Sequence, residues 1–311
     1  MADGVQRARV NGLEIAYETF GDPADPAVVL VMGLGSQMLA WPDEFCQALA
    51  ARGSYVVRFD NRDVGLSSAL RDVPTPHPVA VLAGRRPPVY TVADMADDCV
   101  GLLDALGLDR VDLVGASMGG FIAQTVALRH PERLRSLSLI MTSTGSKRVG
   151  RYKLQLVGSL LRPRVFPSRE AAIEGRVAMA RLISSPGYPF DADYVRDLAA
   201  RSYDRAGDPT GYMRHLGAIL SQPDRTRQLR RLRVPTLVIH GFQDPLVGVS
   251  GGIALARNIP GARFVGLHGM GHDLPRALWP QFADEIAAIA AVGRARERAG
   301  TGPTSEERVL A

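Results

Sequence analysis

Short apolar runs separated by helical periodicities set the frame of this chain. Apolar and polar positions alternate over residues 7–10 and 13–18, and the two segments are joined by Asn11-Gly12, a strong hairpin signal. Residues 28–32 are a nearly unbroken apolar run, the pattern of a strand buried on both faces, and end in Gly33-Leu34-Gly35-Ser36. A helix is expected over 41–52, a strand over 55–59, and then a turn-rich polar segment from Asp60 to Ser67. Residues 68–90 are rich in proline and read as loop. The periodicity then predicts a helix over 91–106, with Thr91 as N-cap and Gly107 as its stop. A strand over 111–116, a helix to about His130 and a strand over 137–141 follow.

From Ser146 to about Leu229 only helical patterns occur. Strands resume over 234–240 and 262–267, with a helix between them and a last helix over about 275–291. The tail from Arg294 has no periodicity and is expected to be disordered. Strand–helix alternation predicts an α/β fold with a parallel sheet. Its core comprises residues 1–145 and 230–293, interrupted by a helical insertion over 146–229, and no internal repeat is present.

Composition narrows the class of protein. Hydrophobic residues make up 46% and charged residues 22% of the 311, which is ordinary for a globular chain large enough to bury a sizeable core. No apolar run has the length of a membrane span. The first residues lack the basic-then-apolar pattern of a signal peptide, so a cytoplasmic protein is expected. The only cysteines, Cys46 and Cys99, have no metal-ligand spacing and read as buried free thiols. A net charge of +5 comes without any zinc-finger spacing or basic–aromatic stripe, which argues against a nucleic-acid partner.

The stretch with chemistry is Gly115-Ala116-Ser117-Met118-Gly119, between a strand and a helix. Gly-x-Ser-x-Gly in that setting is a nucleophile elbow: a serine at the tip of a sharp turn, with Gly115 and Gly119 letting strand and helix approach. Such a serine needs a base and an acid to orient that base, and on this kind of sheet the chain order is Ser, acid, His. Asp244 lies just beyond the strand ending at His240, and His272, in Gly269-Met270-Gly271-His272-Asp273, lies just beyond the last strand. Alone, either would read as a turn residue or a structural histidine; their order and strand-end positions make them the expected acid and base. Asp273 reads as a neighbour of the base, His268 as an earlier residue of the same loop, and His240 as a strand residue that packs or hydrogen-bonds in place. The backbone N–H groups of Met118 and of Leu34, beside Gly33, are the expected oxyanion donors.

These segments resemble the α/β-hydrolase superfamily over roughly residues 5–292. The likeness rests on Val31-Met32-Gly33, the Asp60 to Ser67 segment, the elbow, the segment from Pro235 to Asp244, and Gly269-Met270-Gly271-His272. Within it, Gly33-Leu34-Gly35, Gln37-Met38, the segment from Asp94 to Asp98 and Gly271-His272-Asp273-Leu274-Pro275 look like the mycobacterial lipase/esterase of the G type. The stretch from Gly21 to Pro26 and Trp41-Pro42-Asp43-Glu44-Phe45 also resemble aclacinomycin methylesterases. The resemblance implies a mostly parallel eight-stranded sheet flanked by helices, a cap between strands six and seven, and ester hydrolysis without metal or organic cofactor. Ser117 argues against relatives that use an aspartate nucleophile to open epoxides or remove halogen. Most relatives carry His-Gly where this chain has Met32-Gly33, which changes the polarity beside the oxyanion loop.

The insertion matches the implied cap and contains Leu154, Leu156, Val157, Leu160, Leu161, Met179, Tyr188, Phe190, Tyr194, Tyr203, Tyr212 and Met213. Part must be cap core and part is expected to line a pocket for a hydrophobic ester or thioester, lipid esters included. Basic and apolar residues interleave from Ser146 to Arg164, with no acidic residue until Glu170. Peripheral contact with an anionic membrane is therefore one expectation, and a solvated helix face is the more ordinary one.

Overall fold

A computed structural model describes residues 4–151, 156, 158, 161, 166–206 and 210–300. Eight strands form one sheet: β1 (Gln6–Val10), β2 (Leu13–Phe20), β3 (Ala27–Val31), β4 (Tyr55–Phe59), β5 (Val111–Ala116), β6 (Leu134–Ile140), β7 (Thr236–Gly241) and β8 (Arg263–Leu267). Their order is β1-β2-β4-β3-β5-β6-β7-β8, with β2 antiparallel to both neighbours and every later pairing parallel. This is the α/β-hydrolase arrangement expected from the sequence. The strand order reverses direction at β3, so the crevice beyond β3 and β5 is the switch point at which open α/β sheets hold ligands.

Alternation along the strands explains why both faces are covered. Val29 and Val31 join Leu113, Leu137 and Val238 in one cluster, beneath α3 (Val92–Ala105) and α4 (Met118–Arg129). Val28 and Leu30 join Val114, Ile140 and Ile239 in another, beneath α1 (Asp43–Ala50) and the C-terminal helix. Every residue of β3 and β5 is buried, as a two-faced strand requires. Cys46 and Cys99 are buried in these clusters as free thiols, and burial pushes both thiols up to about 12.

Three departures from expectation have identifiable local or tertiary causes. The proline-rich stretch contains a short helix, α2 (Pro78–Leu82): Pro78 is preset for a first helical turn, and His77 Nδ1 accepts from the Val79 N–H at 3.3 Å. β6 begins three residues before the expected start, where a 3₁₀ turn (Pro131–Arg133) delivers the chain. The last helix runs from Trp279 to Arg298, so residues 294–298 are helical rather than disordered. The Arg296 guanidinium donates to Arg233 O and Arg110 donates to Glu297, interactions that no periodicity reports. Residues 301–311 lie outside the described residues.

Between β6 and β7 the elements among the described residues are helices: α5 (Arg169–Ile183), α6 (Ala192–Arg205), α7 (Thr210–Ser221) and α8 (Thr226–Leu229). After β7 come α9 (Ser250–Asn258) and α10 (Trp279–Arg298). Most of the basic–apolar stretch, including Leu154, Val157 and Leu160, lies outside the described residues. Among the described residues no helix is long and apolar enough to cross a membrane.

Candidate active site

Between β5 and α4 the chain reverses within a single residue. Ser117 holds φ 55° and ψ −118°, a conformation that costs an L-residue about 1–3 kcal/mol. Its N–H donates to Ile140 O at 3.0 Å, and its C=O accepts from the Gly120 N–H at 3.0 Å. A Cβ on Gly115 would lie 2.3 Å from Gly119 O, and one on Gly119 would lie 2.1 Å from Val31 O. Only glycine at both positions lets α4 rest directly on the strand backbones.

Loops at two other strand ends bring polar groups to this serine. Ser117 Oγ is 2.9 Å from His272 Nε2, and His272 Nδ1 is 2.7 Å from Asp244 Oδ2. The second oxygen, Asp244 Oδ1, accepts from the N–H groups of Leu246 at 2.8 Å and Val247 at 2.7 Å. A carboxylate fixed in this way holds the imidazole proton on Nδ1 and turns the Nε2 lone pair toward the hydroxyl. Asp244 and His272 are buried, while Ser117 is partly accessible.

The neighbouring titratable groups have other partners. His240 is fully buried, its Nε2 2.7 Å from Val247 O and 3.6 Å from Asp244 Oδ2, and burial lowers its pKa. Asp273 accepts from the Ser185 hydroxyl, and burial pushes its carboxyl up. The His268 ring stacks on Phe242 at 4.5 Å.

Gly33 crosses directly beside the serine: a Cβ there would be 3.0 Å from Ser117 Cβ and 3.5 Å from its Oγ. Leu34 follows in the same loop. Met118 opens α4, where the first backbone N–H groups have no intrahelical acceptor. Among the described residues no group of three or more His, Cys, Asp or Glu is placed to hold a metal ion.

The helical segment grips this machinery at two places. The end of α5 and the turn after it hold the loop of His272. The His272 N–H donates to Ile183 O at 2.8 Å, the Gly271 N–H to Ser185 Oγ at 2.8 Å, and the Gly187 N–H to Gly269 O at 2.9 Å. On the other side, Arg205 donates to Asp60 Oδ2 at 2.7 Å, and Arg214 makes a fork with Asp63. Asp60 also accepts from the Met38 and Leu66 N–H groups, so the segment after β4 ties the stretch after β3 and the helices together. Ser185, Arg205, Arg214 and His215 were not singled out from the sequence. The buried stripe Gly211, Arg214, His215 and Ala218 at helical spacing is the signal that was available.

A cavity of about 470 Å³ opens from Leu34, Gly35 and Gln37 and runs beneath α5 and α6. Its walls include Phe166, Ala172, Met179, Ile183, Val195, Leu198, Tyr203 and Tyr212, with Arg176 among them. Met179, Tyr203 and Tyr212 thus do line a pocket. Phe190 packs instead with Ile173, Val177 and Ala199 in a small separate core, and Tyr188 and Tyr194 pack on the sheet cluster that includes Trp279.

Comparison with known proteins agrees with this architecture. The chain is 33% identical over 293 residues to a rhodomycin D methylesterase of Streptomyces sp. (strain C5), covering 87% of this chain and 93% of that protein. It is 32% identical over 291 residues to the rhodomycin D methylesterase of Streptomyces peucetius, with the same two coverages, 87% and 93%. The crystal structure of the enol-lactonase from Burkholderia xenovorans LB400 superposes with a TM-score of 0.70 at 26% identity, covering 92% of this chain and all of that one. Residues 26–275 match the model of the alpha/beta hydrolase fold, and with β-sheet order, elbow and strand-end loops in agreement the chain belongs to that family.

Proposed function

We propose that this protein is a serine carboxylic-ester hydrolase acting through an acyl-enzyme on Ser117. That it hydrolyses ester bonds follows from its family and its methylesterase relatives. The observation that carries the mechanism is the unbroken chain of 2.9 Å and 2.7 Å contacts from Ser117 through His272 to Asp244. Ser117 Oγ attacks the ester carbonyl carbon while His272 Nε2 takes its proton. The tetrahedral oxyanion is held by the Leu34 and Met118 N–H groups, and Asp244 stabilises the imidazolium. Collapse expels the alkoxy group, which takes the proton from His272 and leaves as alcohol. A water that His272 deprotonates then attacks the acyl-enzyme, freeing the acid and returning Ser117. These steps call for no metal or organic cofactor, and a thioester would react by the same route.

The helices between β6 and β7 serve as a cap in this reading. The largely apolar cavity of about 470 Å³ beneath them supports a bulky hydrophobic substrate. Similarity to two rhodomycin D methylesterases supports a methyl ester. Likeness to an enol-lactonase favours a second reading, opening of an enol-lactone by the same acyl transfer.

Labelling with a fluorophosphonate probe tests the mechanism. Wild-type protein should label and Ser117→Ala should not; no labelling of folded wild type, or equal labelling of both, overturns the reading. A panel of methyl, p-nitrophenyl and thio-esters beside an enol-lactone then ranks the substrate classes by kcat/KM.

A further inference from the structure

The loop proposed to carry one oxyanion donor is braced by a side chain that comes from a helix 180 residues further along the chain. Gly35 N–H donates to His215 Nδ1 at 3.2 Å, and His215 Nε2 lies 2.7 Å from Arg62 O. These two bonds fix the tautomer. Nδ1 must present a lone pair to an N–H, so the ring proton sits on Nε2 and donates to the Arg62 carbonyl. The ring is fully buried and edge-on to Tyr90, at 6.2 Å between centroids, so it has little freedom to turn.

Successive peptides of the loop are each anchored, and the Leu34–Gly35 plane carries in addition a long bond from the Ser36 hydroxyl to Leu34 O at 3.5 Å. Asn61 Nδ2 donates to Met32 O at 3.0 Å, Ser36 N–H donates to Gly33 O at 3.2 Å, and His215 accepts from Gly35 N–H. The peptide unit is planar and trans, so anchoring Gly33 O sets the opposite direction for the Leu34 N–H in the same plane. The following plane, between Leu34 and Gly35, is the one His215 holds. Gly35 itself sits at φ 62°, a conformation that glycine leaves easily when nothing restrains it.

Docking of the cap helix does not require this histidine. Arg214, one residue earlier, already joins α7 to the segment after β4 through a buried fork with Asp63. What His215 adds is a rigid ring with an acceptor on one side and a donor on the other, spanning from that segment to the oxyanion loop. We propose that His215 is a positioning residue: through Gly35 it holds the peptide planes around Leu34 so that the Leu34 N–H meets the developing oxyanion. The proposal rests on the ester-hydrolase reading and makes the cap helix part of the catalytic geometry rather than only a roof over the pocket.

The test compares His215→Leu, His215→Asn and His215→Gln in the full chain, by steady-state kinetics on one p-nitrophenyl ester and by the second-order rate of fluorophosphonate labelling. Leucine removes both bonds. Asparagine can place its oxygen where Nδ1 was and keep the acceptor for Gly35. Glutamine can place its amide nitrogen where Nε2 was and keep only the donor to Arg62. His215→Leu should lower kcat and the labelling rate together by about ten- to a hundredfold, somewhat less than loss of a whole oxyanion donor, with KM within about twofold. His215→Asn should recover most of that loss and exceed His215→Gln. A folded His215→Leu with unchanged kcat, a loss confined to KM, or glutamine equal to or better than asparagine would overturn the proposal. If the leucine variant does not fold, the order of asparagine over glutamine still decides. Failure of wild type to label defeats the ester-hydrolase reading itself and is thereby distinct.

Discussion

Arg214 and Asp63 face each other as a buried fork, with Nε 2.8 Å from Oδ2 and Nη2 2.8 Å from Oδ1. Burial by itself would push the Asp63 carboxyl up, yet the Arg214 hydrogen bonds bring it below its ordinary value. Cutting one side of such a pair leaves a buried charge without its counter-ion. Arg214→Met should therefore lower unfolding free energy by about 3–5 kcal/mol, measured by urea titration. Asp63→Asn combined with Arg214→Met should recover much of that loss, because no buried charge remains. A double variant as unstable as Arg214→Met would show that the pair is not the source of the effect.

At the elbow, Ser117→Ala, His272→Ala and their combination should each reduce kcat on a p-nitrophenyl ester by roughly 10⁴-fold or more. On the proposed mechanism the double variant should be no slower than the worse single one, because Ser117, His272 and Asp244 would act as a unit. A loss under tenfold for either single variant would contradict the assignment.

Two glycines should respond in opposite directions. Gly119→Ala places a methyl 2.1 Å from Val31 O, a backbone atom of the central sheet that cannot give way. Little folded protein is expected. Gly217 in α7 meets only Pro88 Cβ at 3.7 Å, so Gly217→Ala should raise stability by about 0.5–1 kcal/mol through helix propensity. Thermal melting of the two variants reads both outcomes.

Ser185 accepts from the Gly271 N–H and donates to Asp273, which directly follows His272. Ser185→Ala strands both partners, at a cost of about 1–3 kcal/mol in stability. It should also slow kcat by about tenfold through misplacement of His272, with KM little changed. Unchanged kcat in a measurably destabilised protein would confine the residue to a structural role.

Acid should weaken the fold through His215. Burial, with the Arg62 carbonyl opposing, brings its pKa down to about 4, from 6.5 in an exposed histidine. The unfolded chain thus binds a proton that the folded protein refuses. The contribution is complete above about pH 6.5 and is lost as pH falls toward 4, by on the order of 3 kcal/mol. His240, also lowered by burial, acts in the same direction, whereas buried Asp60, Asp112 and Asp273, all raised by burial, act in the opposite one. The informative quantity is therefore the difference between wild type and His215→Asn. That difference should shrink as pH is lowered from 7 to 4 and be flat above pH 7; a difference flat across the whole range would refute the assignment.

Local patterns decided a great deal of this molecule. The apolar runs are strands because each alternates onto both faces of one sheet. The two glycines flanking Ser117 fix the elbow because a Cβ on either would lie 2.1 to 2.3 Å from a backbone oxygen. Asp244 and His272 were legible because each follows a strand whose end points at the same crevice. The final turns of α10 were not, since they rest on distant partners, Arg233 and Arg110, rather than on periodicity. The short helix at Pro78 was not either, because its five residues are too few to show a period and its start is set by Pro78 and the His77 cap within a proline-rich stretch.

Only the folded chain could decide how the helices between β6 and β7 meet the core. Arg205, Arg214 and His215 are ordinary polar residues on ordinary helices until folding buries them against Asp60, Asp63 and Gly35. A helix pattern reports which face is apolar. It cannot report that a buried polar face will find its partners 145 to 180 residues away, because desolvation and pairing are settled only when both segments leave water together.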